Sequence, residues 1–209
     1  HGVGARTEPL EVRWRNLRIR ELNVKPSLNK LTRSEKANGW TLLFDGKSSK
    51  GWRSARAQSF PQKGWEIKDG VLTVLGSGGD IVTEKKYGNF ILDLEFKMTP
   101  RANSGIKYFI DNDLSKGKGS SLGLEYQILD DAKHPDAKAG VNGNHTLASL
   151  YDLIPALTTK KTEPIGQWNR ARVVVRENHI EHWLNGAKVV EFEKNTQIYW
   201  ALVANSKYK

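Results

Sequence analysis

Cysteine is absent from the 209 residues. That excludes a disulfide framework, an iron–sulfur cluster and any thiolate zinc site. A chain of this length can bury a sizeable core without such staples. Long apolar runs are also missing, and none approaches the ~20 residues that a membrane helix needs. No signal peptide precedes the first element: the chain opens His1-Gly2-Val3-Gly4 without a start Met, which reads as a processed or trimmed segment. There is no H-E-x-x-H, no Gly-Lys-Ser phosphate loop and no dinucleotide fingerprint. A basic block is lacking too. Lys+Arg number 33 against 23 Asp+Glu, a net charge of +10. Yet only Arg13, Arg15, Arg18 and Arg20 cluster, and the other basic residues are scattered. A solvated basic surface is expected, not a nucleic-acid partner. Helical periodicity is scarce: Leu31 to Asn38 reads as one short helix, capped by Thr32 or Ser34 and ended by Gly39.

What is present is period two. In Phe90–Met98, Phe90, Leu92, Leu94, Phe96 and Met98 share one face, and Ile91, Asp93, Glu95 and Lys97 share the other. Ala171–Arg176 and His179–Leu184 read as strands joined at Glu177-Asn178. Asn185-Gly186 then turns the chain into Ala187–Phe192. Trp65–Lys68, Asp69-Gly70 and Val71–Leu75 form a further hairpin. Short strands separated by Gly/Asn/Asp turns predict an all-β sandwich or barrel. One stretch breaks the pattern. Asp130 to Asn144 is long, polar and poor in strand signal, which suits a functional loop or a plain surface excursion. Its Asp130, Asp131, Asp136 and Asn142 offer oxygens to a calcium ion, but without EF-hand spacing no metal site is expected.

Gly39-Trp40-Thr41-Leu42-Leu43-Phe44-Asp45-Gly46, followed by Gly51-Trp52, resembles the opening of the 3-keto-disaccharide hydrolase family. Further segments match in order: Gly79–Thr83, Tyr87–Phe90, Leu94–Lys97, Ala102–Ile106, Leu124–Asp130, Ser149–Asp152, Gly166–Asn169 and His182–Gly186. Each is weak alone; their order makes the match specific. The resemblance implies a concanavalin A-like, jelly-roll β-sandwich of two curved antiparallel sheets, with a carbohydrate-sized cleft on the concave face. It also implies a carbohydrate substrate and a periplasmic or secreted bacterial location; no cofactor is expected. The family's closing strand is missing after Ser206–Lys209. Instead Val12–Leu22 carries that pattern at the front. Residues 1–22 are therefore read as a closing strand, 23–38 as a linker and 39–209 as the sandwich body. A segment cut from a tandem repeat, or a circular permutation, accounts for this order. Residues 12–21 are expected to pair in this sandwich or in that of a partner copy.

The residues suggest the chemistry next. A 3-keto sugar has an acidic proton on carbon 2, so it needs a base, donors for the enolate oxygen and an acid for the leaving group. An ordinary glycosidase uses two carboxylates about 5–10 Å apart. On Leu122–Leu129, Glu125 and Gln127 point to one side. Asp93, Glu95 and Lys97 do the same on their strand. If both polar faces line the concave sheet, Glu95, Lys97, Glu125 and Gln127 converge. Ordinary outward residues of a half-wet sheet are the competing reading. Tyr151 suits sugar stacking or oxyanion donation, or a rim position. His182 is a strand histidine alternating with Ile180 and Leu184, and His145 closes the polar loop that His134 enters. The expected catalytic set is Glu125, Lys97, Tyr151 and His182. The expected binding set is Glu95, Gln127, Asp130, Arg101, Asn103 and His145. A non-catalytic carbohydrate-binding module is the alternative.

Overall fold

The computed structural model describes residue 15 and residues 28–111 and 122–209, and the chain divides into two units, His1–Leu42 and Leu43–Lys209. In the first unit the expected short helix is α1, Arg33–Ala37, with Thr32 as its N-cap. Glu35 N–H donates to Thr32 Oγ1 at 3.1 Å and the Thr32 N–H donates to Glu35 Oε2 at 2.7 Å, a reciprocal capping box. The expected strand at 12–21 lies outside the described residues.

The second unit is built from β1 (Trp52–Ser54), β2 (Trp65–Lys68), β3 (Val71–Val74), β4 (Ile81–Thr83), β5 (Phe90–Lys97), β6 (Asn103–Asp111), β7 (Leu122–Leu129), β8 (Trp168–Arg176), β9 (His179–Leu184), β10 (Ala187–Glu193) and α2 (Gln197–Ala204). All pairings are antiparallel. One sheet runs β10-β9-β8-β5, and β6–β7, β2–β3 and β1–β4 are two-stranded. The β2–β3 turn has Asp69 and Gly70 at φ 53° and 77°, and the β9–β10 turn has Asn185 and Gly186 at 49° and 85°. Two successive positive φ values match the right-handed strand twist, which is why Asp-Gly and Asn-Gly occupy them.

The core lies between the four-stranded sheet and the β6–β7 pair. Phe96 and Met98 at the end of β5 meet Tyr108 of β6 and Leu124, Tyr126 and Ile128 of β7. Ala171, Val173, Val175, Ile180, Leu184, Val190 and Phe192 complete it, with Tyr199 and Val203 of α2. Polar groups cross this core in two places. The Tyr126 hydroxyl donates to the Trp183 carbonyl at 3.2 Å. Tyr108 Oη lies 2.8 Å from His182 Nε2, whose Nδ1 is 3.0 Å from the Ala148 carbonyl.

β7 departs from simple alternation. From Gly123 to Leu129 every residue is buried on both faces. The cover comes from the polar loop, which ends in a stretch that lies against the free edge of β7: Gln127 N–H donates to Ser149 O, Ala148 N–H to Gln127 O, and Tyr151 N–H to Glu125 O. Glu125 and Gln127 are thereby enclosed while pointing away from the apolar core.

Candidate functional site

Glu125 sits in the middle of β7, opposite Lys107 of β6. Its carboxylate lies over the backbone of Gly105. A Cβ at 105 would collide with Glu125 Oε1, so the strand pair needs glycine there for space. Its other oxygen accepts from Lys207 Nζ at 2.8 Å. That ammonium also stands 4.0 Å from the centre of the Tyr151 ring, a cation over an aromatic face.

A second layer holds this group in place. His145 is buried, with Nδ1 2.9 Å from Asp136 Oδ1 and Nε2 3.0 Å from Asp152 Oδ1. Its ring stacks on Tyr151 at 4.2 Å and 23°. The Tyr151 hydroxyl donates to Asp136 Oδ2 at 3.1 Å. Burial, then the Asp136 charge, push that hydroxyl's pKa up. Asp152 accepts the Lys207 backbone N–H through Oδ2 at 2.7 Å. It does so at φ 62°, a left-handed turn conformation that aspartate tolerates. Gly140, at φ 73°, lets the loop pass over the His145 ring; a Cβ there would meet Asn144 and His145. The outcome is three carboxylates, one ammonium, one imidazole and one phenol in a single connected set.

Two buried polar atoms beside it have no hydrogen-bond partner among the described residues: Gln127 Oε1 and the Tyr208 hydroxyl. Gln127 Nε2 is used, donating to Asn103 Oδ1 at 3.3 Å. Burial and the nearby Glu125 charge raise the Tyr208 pKa. Orphaned buried polar atoms are rare in folded proteins and call for an explanation.

Of the predicted residues, Glu125, Tyr151 and His145 belong to this set, with Gln127 and Asn103 adjoining it. Asp130 is buried, but its carboxylate is taken by the Arg101, Ala132 and Lys133 backbone N–H groups, of which Arg101's is the main cause of its lowered pKa. It fastens the loop. The Arg101 backbone lies in that turn at φ 63° and its side chain is exposed.

The expected convergence of Glu95 and Lys97 with Glu125 is corrected. β5 pairs with β8, not with β7, and its polar face looks out from the four-stranded sheet. There Lys97 lies 4.9 Å over the Trp168 ring, and Glu95 stands opposite Arg170. His182 is likewise corrected in place. It is wholly buried in the core between Tyr108 and Tyr126, and burial lowers its pKa to about 4. Its neighbours Ile180 and Leu184 on the alternating face were the signal. The acids weighed for calcium mostly take protein partners: Asp131 holds Lys160 and the Leu147 N–H, and Asp136 holds His145 and Tyr151.

Sequence reasoning missed Lys207 and Asp152 and gave Asp136 no protein partner. Lys207 reaches Glu125 across 82 positions, a contact that no local pattern announces.

With the geometry in view, the comparisons are specific. The model of the 3-keto-alpha-glucoside-1,2-lyase-like domain matches residues 39–204. The chain belongs to this family. A 3-keto-disaccharide hydrolase of Bacteroides thetaiotaomicron is 36% identical over 189 residues, covering 82% of this chain. The chain spans 64% of that relative's length. Two crystal structures from Parabacteroides distasonis, both provisionally named glycosyl hydrolases, share the fold. One has a TM-score of 0.76 at 33% identity, covering 87% of this chain and 84% of the other. The second has 0.55 at 27%, covering 68% and 72%. The Glu125–Lys207 cluster thus sits within a lyase-like family domain, apart from Lys207 itself, which follows the matched residues.

Proposed function

We propose that this domain cleaves 3-keto-glycosides by elimination followed by addition of water, a net hydrolysis. The observation that carries the reading is the Glu125–Lys207 pair beneath Tyr151, in a domain of a lyase-like family. Glu125 takes the proton from carbon 2. The electrons of that C–H bond form the C2=C3 double bond, and the ketone oxygen becomes an enolate. The negative charge thus leaves Glu125 as it appears on the sugar. Lys207, no longer held by an anionic carboxylate, is already within reach and meets the new anion. The enolate then collapses. C3=O re-forms, C1=C2 forms, and the C1–O bond to the aglycone breaks, the aglycone taking the proton that Glu125 holds, which restores the carboxylate. Water adds its hydroxyl to carbon 1 and its proton to carbon 2, giving the free 3-keto sugar. Asp136, His145 and Asp152 position Tyr151 and the Lys207 backbone. No step calls on a metal or cofactor. The exported location implied by the family resemblance belongs to the same proposal, and fractionation of cells carrying the full-length protein tests it.

Matched 3-keto and unoxidised glycosides in heavy water test the chemistry. The expected result is cleavage of the keto substrate alone, with deuterium at carbon 2 of the product. Comparable cleavage of the parent, with no deuterium at carbon 2 of the keto product, identifies a two-carboxylate glycosidase instead.

A further inference from the structure

The outer face of the four-stranded sheet carries a built surface that this chemistry does not use. Trp183 on β9 stands in register between Arg172 on β8 and Lys188 on β10. Its indole N–H donates to Glu181 Oε2 at 2.7 Å. Glu181 is held in turn by His179 at 3.3 Å and Lys188 at 3.5 Å. The ring is thus fixed in orientation on an otherwise polar face. Beside it, Arg170 and Arg172 grip Asp93 together, each through Nε and Nη2. A guanidinium has five N–H donors, so Arg172 keeps donors beyond those Asp93 takes. Arg170, Arg172, Trp183, Asn185 and Gly186 line a depression of about 390 Å³. That falls within the size range of small-ligand sites. Trp168, two residues before Arg170 on the same side of β8, is 44% exposed.

We propose that this depression is a second, non-catalytic carbohydrate-binding site that takes one or two pyranose units of a neutral glycan. A pyranose has an apolar C–H face and a polar rim. The fixed indole suits the first, and the guanidinium donors that Asp93 does not take suit the second. The balance of charge selects a neutral ligand. On this face Arg170, Arg172, Lys97 and Lys188 are matched by Asp93, Glu95, Glu181 and Glu191, so no net positive field is left to recruit an anion. The site lies across the core from Glu125, because Leu124, Tyr126 and Ile128 of β7 fill the space between. It binds independently of the reaction.

The test follows the indole N–H signals of the full ¹⁵N-tryptophan-labelled chain during titration with maltohexaose, cellohexaose and trigalacturonate. The Trp183 signal is assigned by its loss in Trp183→Ala. A saturable shift of that signal with one of the neutral hexaoses is expected. Arg172→Ala should weaken it about tenfold or more, and Trp183→Tyr, which keeps an aromatic face, should bind more tightly than Trp183→Ala, both read on the indole signal of the neighbouring exposed Trp168. Thermal melts confirm that each variant is folded. Glu125→Gln should bind the hexaose as the parent does, whether or not the proposed reaction is correct. No saturable shift with either hexaose, a shift with trigalacturonate alone, or a shift unaltered in Arg172→Ala would overturn the proposal.

Discussion

Asp93 and Glu125 are both carboxylates at the centre of a strand, and both face basic side chains. They lie on opposite sides of the core and are held differently. Asp93 accepts from two guanidinium forks, four hydrogen bonds in all. Burial alone would raise its pKa, but Arg170 and then Arg172 hold it below the usual carboxylate value. Such a group is a fastening between β5 and β8, with both oxygens saturated by planar partners. Glu125 accepts from Lys207, an ammonium at the end of a flexible stem, over a glycine where a neighbouring side chain would stand. A single ammonium can follow a moving charge, whereas two interlocked forks cannot without breaking the sheet surface. The difference separates a charge that holds structure from one that can be spent in a reaction.

The sharpest way to break this comparison is to neutralise each acid in turn. Glu125→Gln should lower turnover of a 3-keto-glycoside on the order of 10²–10⁴-fold, the usual range for a general base, with an unchanged circular dichroism spectrum. Asp93→Asn should leave turnover at the parent level. Equal losses in steady-state assays would erase the distinction. Cations give the next contrast. Lys207→Met removes the donor nearest the developing enolate and should cost on the order of 10²–10³ in kcat. Lys97→Met, on the outer face, should cost nothing measurable in the same assay.

Buried His182 extends the comparison to stability. His182 has a pKa lowered to about 4, against an ordinary value of 6.5, because burial disfavours its charged form. The unfolded chain therefore binds the proton first. Stability is full above about pH 6.5 and falls as pH drops towards 4, by roughly 3 kcal/mol. Urea titrations between pH 7 and 4 should reveal that slope, and His182→Gln, which does not titrate, should flatten it. A slope unchanged in the variant would assign it to other groups. The smallest effect is expected at Asp93. Its lowered pKa adds stability that is present above the ordinary carboxylate range and lost as pH falls through the lowered value. With both arginines partly exposed, Asp93→Asn should cost no more than about 1 kcal/mol, read as a small shift in thermal midpoint at neutral pH that vanishes in strong acid.

Much of the framework was legible in the sequence. The face of β5, the Asp-Gly and Asn-Gly hairpins and the α1 cap are local, and local rules found them. Glu125, Tyr151 and His145, which the structure brings together, also stand out in the sequence, since a carboxylate in an apolar strand and a histidine at the end of a polar loop are visible without knowledge of neighbours. Periodicity failed at the next level. It assigned Glu95 and Lys97 correctly to one face of β5, but cannot tell which sheet a strand joins, and so placed them with Glu125. Lys207 was invisible for a similar reason: its role exists only once Asp152 draws its backbone beside β7. His182 is a core residue, as its alternation with Ile180 and Leu184 indicates, and its titratable ring carries no information on whether it faces a site or the interior.

The hydroxyl of Tyr126, donating across the core to the carbonyl of Trp183, has a consequence for alignment. Aliphatic side chains packed between two layers resist separation far more than sliding, since one methyl contact replaces another at little cost. A phenol that must find one particular carbonyl permits a single offset between the layers. Tyr126 lies between Glu125 and Gln127 in β7, and the carbonyl it finds belongs to the residue that forms the outer aromatic surface. Each face is thus indexed to the other through the interior. Tyr126→Phe would retain nearly all the buried apolar area while leaving the two layers without that index mark.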